Sequence, residues 1–501
     1  MVRSANSTCL LATVALLVVA FSTLAGCSDS VDQSAVSDLP PTPRRGGTLV
    51  IATKNDLMSV NPVVVAVDAS TQSVLDRLFL SLFEELPDFA EHPPTFGPQI
   101  AKQWSWSEDR LILRVELRDD LFWSDGVPLT SEDVVWTWQV QTSSEISWNQ
   151  AGSKESILAV EALEDHLVRV EFRQQTDSPL WDLNEGAILP KHVWSRLPLS
   201  RWRHEADWFV DHLVTSGPYR LERWDRQQQV ILTRNERYFD PELPRIDRLV
   251  FKQVPLEFNQ VGQLLSGQLD FVVNVPVEEA GEAERVGDVA LVPYPAGQYN
   301  FICWNLENPL FSDVQVRRAL TMAIDREAIV DSVLFGRAVV SNSPILSSVW
   351  AYNRDLEPWP YDPERSRKLL AELGWHDTDG DAVLDRQGQP FEFELLTNAG
   401  SRPRVDATVM IQEQLRRLGI DVKVRSLEFN SLSELVLRHD FESVLLGWSV
   451  DTSLDQTSIF HSNSIEDGSN FGSYSNPELD RLIEMSNSEL DSERRAEVLA
   501  R

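Results

Sequence analysis

From Gly46-Gly47 onward, stretches patterned as strands and stretches patterned as helices follow one another without an internal repeat. That alternation restricts the chain to an α/β architecture. Thr48-Leu49-Val50-Ile51-Ala52 is a short, β-branched strand following two glycines. Residues 111–117 (LILRVEL) alternate apolar and charged side chains, as a half-buried strand does. Residues 168–172 and 229–233 read as further strands. Thr130-Ser131-Glu132-Asp133 opens a helix, with Thr130 as its cap and Asp133 at the third helical position. Apolar residues at helical spacing predict helices over 316–333 and 407–418. A last helix is expected over 489–501, with the chain stopping inside it.

At 501 residues the chain exceeds one ordinary hydrophobic core, and about two to four units are expected. Its first residues mark an exported protein. Arg3 precedes an apolar run over 10–21, which is the length of a signal-peptide core and too short to span a membrane. The run ends in Leu24-Ala25-Gly26-Cys27, small residues before a cysteine, which resembles the lipobox of bacterial lipoproteins. That resemblance implies removal of 1–26 and acylation of Cys27, each buried methylene contributing ~0.8 kcal/mol of membrane affinity. The protein is then expected outside the cytoplasm, anchored by lipid and facing the periplasm or the cell exterior. Residues 27–46, with Pro40, Pro41 and Pro43, read as a flexible tether. Of the three cysteines, Cys303 is left without a partner, and its apolar neighbours Phe301, Ile302 and Trp304 predict a buried, inert thiol. A formal charge of −32 opposes nucleic acid and anionic lipid headgroups as partners. The 16 tryptophans are expected mainly in cores, and as a set they suit a cavity that grips varied apolar groups.

Five further segments occur in a fixed order. The first holds Ala101-Lys102-Gln103-Trp104, Leu117-Arg118-Asp119-Asp120, Phe122-Trp123-Ser124-Asp125-Gly126 and Leu129-Thr130-Ser131-Glu132-Asp133-Val134. The second pairs Ser216-Gly217-Pro218-Tyr219 with Arg234-Asn235-Glu236-Arg237-Tyr238. The third is Leu264-Leu265-Ser266-Gly267-Gln268-Leu269-Asp270. The fourth joins Val316-Arg317-Arg318-Ala319-Leu320 to Ala323-Ile324-Asp325-Arg326, whose charged residues are expected on one helix, held by surface ion pairs. The fifth is Leu446-Gly447-Trp448 with Asp451, then Tyr474-Ser475-Asn476-Pro477. Together they resemble the oligopeptide-, dipeptide- and nickel-binding proteins that serve ABC importers.

The resemblance implies a two-lobed periplasmic-binding-protein clamshell with solute enclosed between the lobes. Lobe I is expected at 47–80 and 186–293, an inserted subdomain at 81–185, and lobe II at 294–501, the chain ending before the family's return to lobe I. It implies a monomeric carrier without cofactor, which captures di- or oligopeptides and delivers them to a membrane permease.

Such a carrier must grip what all peptides share. The ammonium needs a carboxylate in a partly dry site, and in the family an Asp three residues after a Gly-Trp pair supplies it. Asp451 stands at that spacing from Gly447-Trp448. Trp448 could wall the pocket with a cation–π contact of ~0.5–2 kcal/mol, and the backbone at Gly447 and Ser449 could pair with the ligand as an added strand. Arg402 and Arg404, expected in a loop before the 407–418 helix, are candidates for the peptide carboxylate. Asn300 and Trp304, at the start of lobe II, are candidate cleft residues, with packing the competing role for Trp304.

Three other chemistries are open to a chain of this kind. Asp377, Asp379, Asp381 and Asp385 alternate as calcium ligands do, but an EF-hand would need Gly and Glu where Ala382 and Gly388 stand, so an Asp-rich turn and no metal is expected. A nickel or metallophore carrier should gather histidines, and the eight present form no ligand-spaced cluster. A secreted hydrolase is the remaining alternative. Neither a His-Glu-x-x-His nor a Gly-x-Ser-x-Gly stretch occurs.

Overall fold

The computed structural model describes residues 2–3, 45–64, 68–175, 178–450 and 454–501. These fall into two compact α/β units. The first gathers 1–80, 119–149 and 187–292, and the second 81–118, 150–186 and 293–501. Among the described residues no helix is long and apolar enough to cross a membrane.

The first unit is built on a four-stranded sheet. Strand β1 (Thr48–Thr53) runs parallel to β4 (Arg248–Gln253), which pairs antiparallel with β3 (Gln229–Arg234), and β3 with β2 (Tyr219–Asp225). The β-branched run at β1 forms as its composition predicts. Asp270 fixes it further along, its carboxylate accepting the Val50 N–H at 2.8 Å. Gly217 lies so close to the preceding helix that a Cβ would sit 2.6 Å from the Arg77 carbonyl oxygen. The space a side chain would take is filled by backbone, which explains why the Ser-Gly-Pro-Tyr turn needs glycine beyond its bend.

Helix α1 (Ser131–Gln141) starts where the sequence placed it. The Asp133 carboxylate accepts the Thr130 N–H at 3.0 Å, the Lys191 N–H at 3.0 Å and the Trp123 indole at 3.3 Å. Burial pushes this carboxyl above its ordinary range, and those three donors oppose the shift. Because Asp133 and Thr137 are tied to 189–191, α1 packs in the first unit. The segment expected as an insertion, 81–185, therefore contributes to both units. Trp194, Trp202 and Phe209 meet edge to face at 4.9–5.9 Å and are fully buried, so several tryptophans serve a core here.

The second unit holds two four-stranded sheets. One is an antiparallel sheet of Ala101–Trp106, Ile112–Leu117, Leu167–Phe172 and Ile157–Glu164, in that spatial order. The other has the order β5-β8-β6-β7: β5 (Gln298–Trp304), β6 (Glu392–Asn398), β7 (Asp421–Leu427) and β8 (Ser443–Ser449). β8 is antiparallel to the edge strand β5 and parallel to β6.

Three helix expectations are corrected. The predicted helix over 316–333 is two, α2 (Val314–Ala323) and α3 (Arg326–Val333), because Asp325 caps the second by accepting the Ala328 N–H at 3.0 Å. Among the described residues its charged residues form no ion pairs. Arg317 donates to the carbonyls of Phe311 and Ser312, Arg326 to that of Trp359, and Arg318 lies over the Trp359 ring at 5.3 Å. The helix predicted from 407 begins earlier, as α4 (Arg402–Arg416), with a proline in its first turn. The last helix is narrower than 489–501. It runs Ser492–Leu499, capped by Asp491.

Candidate functional site

The end of the β5–β8 ladder is where the sequence candidates can be tested against geometry. The antiparallel register sets Asn300 opposite Gly447, Tyr299 opposite Trp448 and Gln298 opposite Ser449. One face of the ladder carries Ile302, Trp304 and Leu445 into the core against α2 and α4. The other carries Cys303, Val444 and Leu446 against the helix Phe429–Leu437. Side chains alternate along a strand, so Asn300, Gly447 and Ser449 share the first face and Trp448 belongs to the second.

Arg404 completes the first face. It stands in the first turn of α4, and a Cβ placed on Gly447 would lie 2.8 Å from its Nη1 and 2.9 Å from Asn300 Oδ1. Glycine is needed at 447 because a guanidinium and an amide occupy the space where a side chain would go. The structure thus brings together three residues that lie far apart in sequence: Asn300, Arg404 and Gly447.

The electrostatics of Arg404 are unusual. It is half-buried, and burial lowers the affinity of its guanidinium for the proton. Its Nε is buried with no hydrogen-bond partner, and among the described residues no carboxylate pairs with it. It also stands at a helix N-terminus whose first turn contains no acid and whose Ser401 side chain makes no cap bond. Helix amides and guanidinium both favour an anion there.

The other candidates separate from this cluster. Arg402 faces solvent and is tied to Asp406 at 2.6 Å; it belongs to the helix, not to the loop expected for it. Trp304 is part of the core, 4.8 Å from the Phe311 ring and 5.7 Å from Phe393. Trp448 leans edge-on toward Phe471 with ring centres 6.4 Å apart. Ser449 is exposed, and beyond it the Val450 N–H donates to the Gly297 carbonyl at 2.7 Å. Asp451, which follows at once, and Cys27 lie outside the described residues. Tyr299 was not singled out from sequence. It faces an apolar cluster with Leu346 and Leu454, where burial pushes its phenol up to about 12.

Cys303 is a free thiol whose pKa burial raises to about 12, the inert state its neighbours predicted. In the acidic loop, Asp377, Asp379 and Asp381 place one oxygen each within 4.8 Å of one another. Asp377 accepts the N–H groups of Gly380 and Ala382, and Asp381 that of Val383. These carboxylates hold a turn in which Gly380 and Ala382 have positive φ.

A family model described as bacterial extracellular solute-binding proteins, family 5 (middle), matches residues 95–470. The oligopeptide-binding protein AppA of Bacillus subtilis is 32% identical over 477 residues, covering 94% of this chain and 86% of AppA. The periplasmic oligopeptide-binding protein OppA of Salmonella typhimurium is 26% identical, covering 91% and 84%. The structure of AppA in complex with a nonapeptide superposes with a TM-score of 0.73 at 31% identity, over 92% of this chain and 90% of that one. NikZ from Campylobacter jejuni, solved with Ni(L-His), gives 0.73 at 25% identity, over 90% and 89%.

Proposed function

Since this chain belongs to the bacterial extracellular solute-binding proteins of family 5, we propose that it is the peptide-capturing component of an ABC importer, a carrier and not an enzyme. One observation carries the reading beyond its relatives' names. Arg404 is a half-buried cation with no carboxylate partner among the described residues, held at Gly447 and Asn300 on the strand that leads to Asp451. A peptide carries a charge suited to each. Its carboxylate would lie against Arg404 and the start of α4, and its ammonium would meet Asp451.

Chain reach bounds the ligand. Asp451 lies four Cα steps beyond Gly447, and an extended backbone spans at most ~3.3–3.6 Å per residue. The two groups therefore suit peptides of up to about four residues bound end to end. Longer peptides would reach only one of the two charges.

The test is calorimetric titration with a tripeptide in free, N-acetylated and C-amidated forms. Amidation should weaken binding about ten- to a hundred-fold in the native protein, and hardly at all in Arg404→Met, which has already lost that contact. N-acetylation should behave likewise with Asp451→Ala. Equal affinity for free and amidated tripeptide would remove Arg404 from the site. Recovery of intact peptide after prolonged incubation is expected of a carrier, whereas cleavage would make it a hydrolase. Native mass spectra of the chain from Ser28 should show a spread of peptide-sized adducts; a single nickel-containing adduct would favour the metal-chelate alternative. Cys27 is proposed as the acylated anchor, and protein extracted from membranes should carry the added acyl mass on that residue.

A further inference from the structure

In the first unit Arg220, which has no ion-pair partner among the described residues, lines a cavity. The cavity, about 360 Å³, opens beside the β2–β3 ladder and is bordered by Ser124, Thr215, Arg220 and Thr233, with Val210 and Leu213 as apolar wall. Arg220 and Thr233 are direct cross-strand neighbours, so their side chains leave the sheet on the same face.

The neighbouring arginines show what is missing. On the same sheet Arg223 reaches Asp225 at 3.0 Å, Arg234 reaches Asp247 at 2.6 Å and Arg248 reaches Glu222 at 2.8 Å. In a chain with 77 acidic against 45 basic residues, a carboxylate is the expected neighbour of any guanidinium. Among the described residues none pairs with Arg220, and its Nε is buried with no hydrogen-bond partner. A guanidinium presents five N–H donors and no acceptor, so these are satisfied only by acceptor groups, and the cavity lining offers hydroxyls but no carboxylate.

The surrounding groups are donors too. Ser124 Oγ accepts the Thr215 N–H at 3.0 Å, which leaves its own O–H free to donate. Of the acids adjacent in sequence to the lining, Asp125 lies 2.8 Å from His192 and accepts the Val127 N–H, Glu222 pairs with Arg248, and Asp211 forms no ion pair with Arg220. A second guanidinium, that of Arg237, rests against Gly126.

We propose that this cavity is an oxyanion site, taking a phosphate group on Arg220, Ser124 and Thr233. The cavity has room for more than a free phosphate ion, so the group could be inorganic or the end of a phosphorylated headgroup. The site lies within one unit and does not depend on how peptide is bound.

Titration of the full chain with inorganic phosphate, at constant ionic strength in chloride, tests it. Saturable binding at one site is expected, weakened at least about ten-fold in Arg220→Gln and to a lesser degree in Ser124→Ala. Tripeptide affinity should be the same in all three proteins, which also shows that the variants fold. Competition by glycerol phosphate alone would identify a free ligand, and competition by phosphatidylglycerol vesicles a headgroup. The proposal fails if phosphate does not saturate, or if Arg220→Gln binds it as the native chain does. It fails equally if Arg404→Gln, and not Arg220→Gln, abolishes the signal, because the anion would then sit at Arg404.

Discussion

Gly447 earns its identity from two side chains that arrive from elsewhere in the sequence. A methyl group there would press on Arg404 Nη1 and Asn300 Oδ1, both at the far ends of flexible side chains. Gly447→Ala should therefore cost little stability, within about 1 kcal/mol, while displacing the guanidinium. Peptide affinity is expected to fall about ten-fold or more, and a melting curve beside a tripeptide titration separates the two effects. Unchanged affinity would mean that Arg404 does not need its present position. Sequence reading found Gly447 and Asn300 through the family pattern and reached Arg404 only as one of two cations in a supposed loop. What sets Arg404 apart from Arg402 is that no described carboxylate pairs with it, and a missing partner is a fact of three dimensions. Arg402 has Asp406 one helical turn away, a spacing that could have been read as an i,i+4 pair and would have set it aside.

Elements were legible where their ends carry chemistry and blurred where the apolar rhythm runs on. The Thr130–Asp133 start of α1 was read correctly because a cap and a third-position acid are local signals. The break between α2 and α3 was missed because apolar spacing continues across Ile324-Asp325, and the Asp325 cap reads equally well as one more surface charge. The early start of α4 was missed although Pro403 is the residue type that favours a first turn.

One short helix depends on a residue that no pattern suggested. Lys154 is buried and its Nζ donates to the carbonyls of Asp182, Leu183 and Glu185 at 2.6–3.1 Å, closing the end of Pro179–Asn184. Lys154→Met would strand those carbonyls, a loss of about 3 kcal/mol measurable by denaturant unfolding. Burial lowers the ammonium from 10.5 to about 7, against the pull of Glu185 and Asp182. Between these values the unfolded chain binds more protons than the folded one, so stability should rise with pH across that window. Below about 7 both states are protonated and the burial cost remains in full. The native chain's advantage over Lys154→Met should therefore widen from pH 7 toward pH 10; a constant gap would show that the ammonium stays charged when folded.

At the scale of the whole molecule, a net charge of −32 sits on a fold that has no cross-link among its described residues, since Cys303 is free. Self-repulsion should weaken it at low salt. As the screening length contracts from ~30 Å at 0.01 M to ~8 Å at 0.15 M, the melting temperature is expected to rise by several degrees. No change would mean that the surface ion pairs already neutralise the field locally. The alternation of strand and helix patterns made the α/β class readable, and the family motifs the existence of two units, because caps, turns and glycine contacts are local. They did not reveal which unit takes residues 119–149, because that depends on what Asp133 and Thr137 touch. Each unit is assembled from three separate stretches, so the backbone passes from one to the other five times. Like two books with interleaved pages, the units cannot be pulled apart by one cut. A chain split at residue 292 yields an N-terminal half holding all of the first unit, together with the strands 101–117 and 157–172 that belong to the second. The C-terminal half lacks that entire sheet. Split-protein complementation follows directly from the topology: each fragment carries something the other must dock against, and re-association would rebuild the second unit from both.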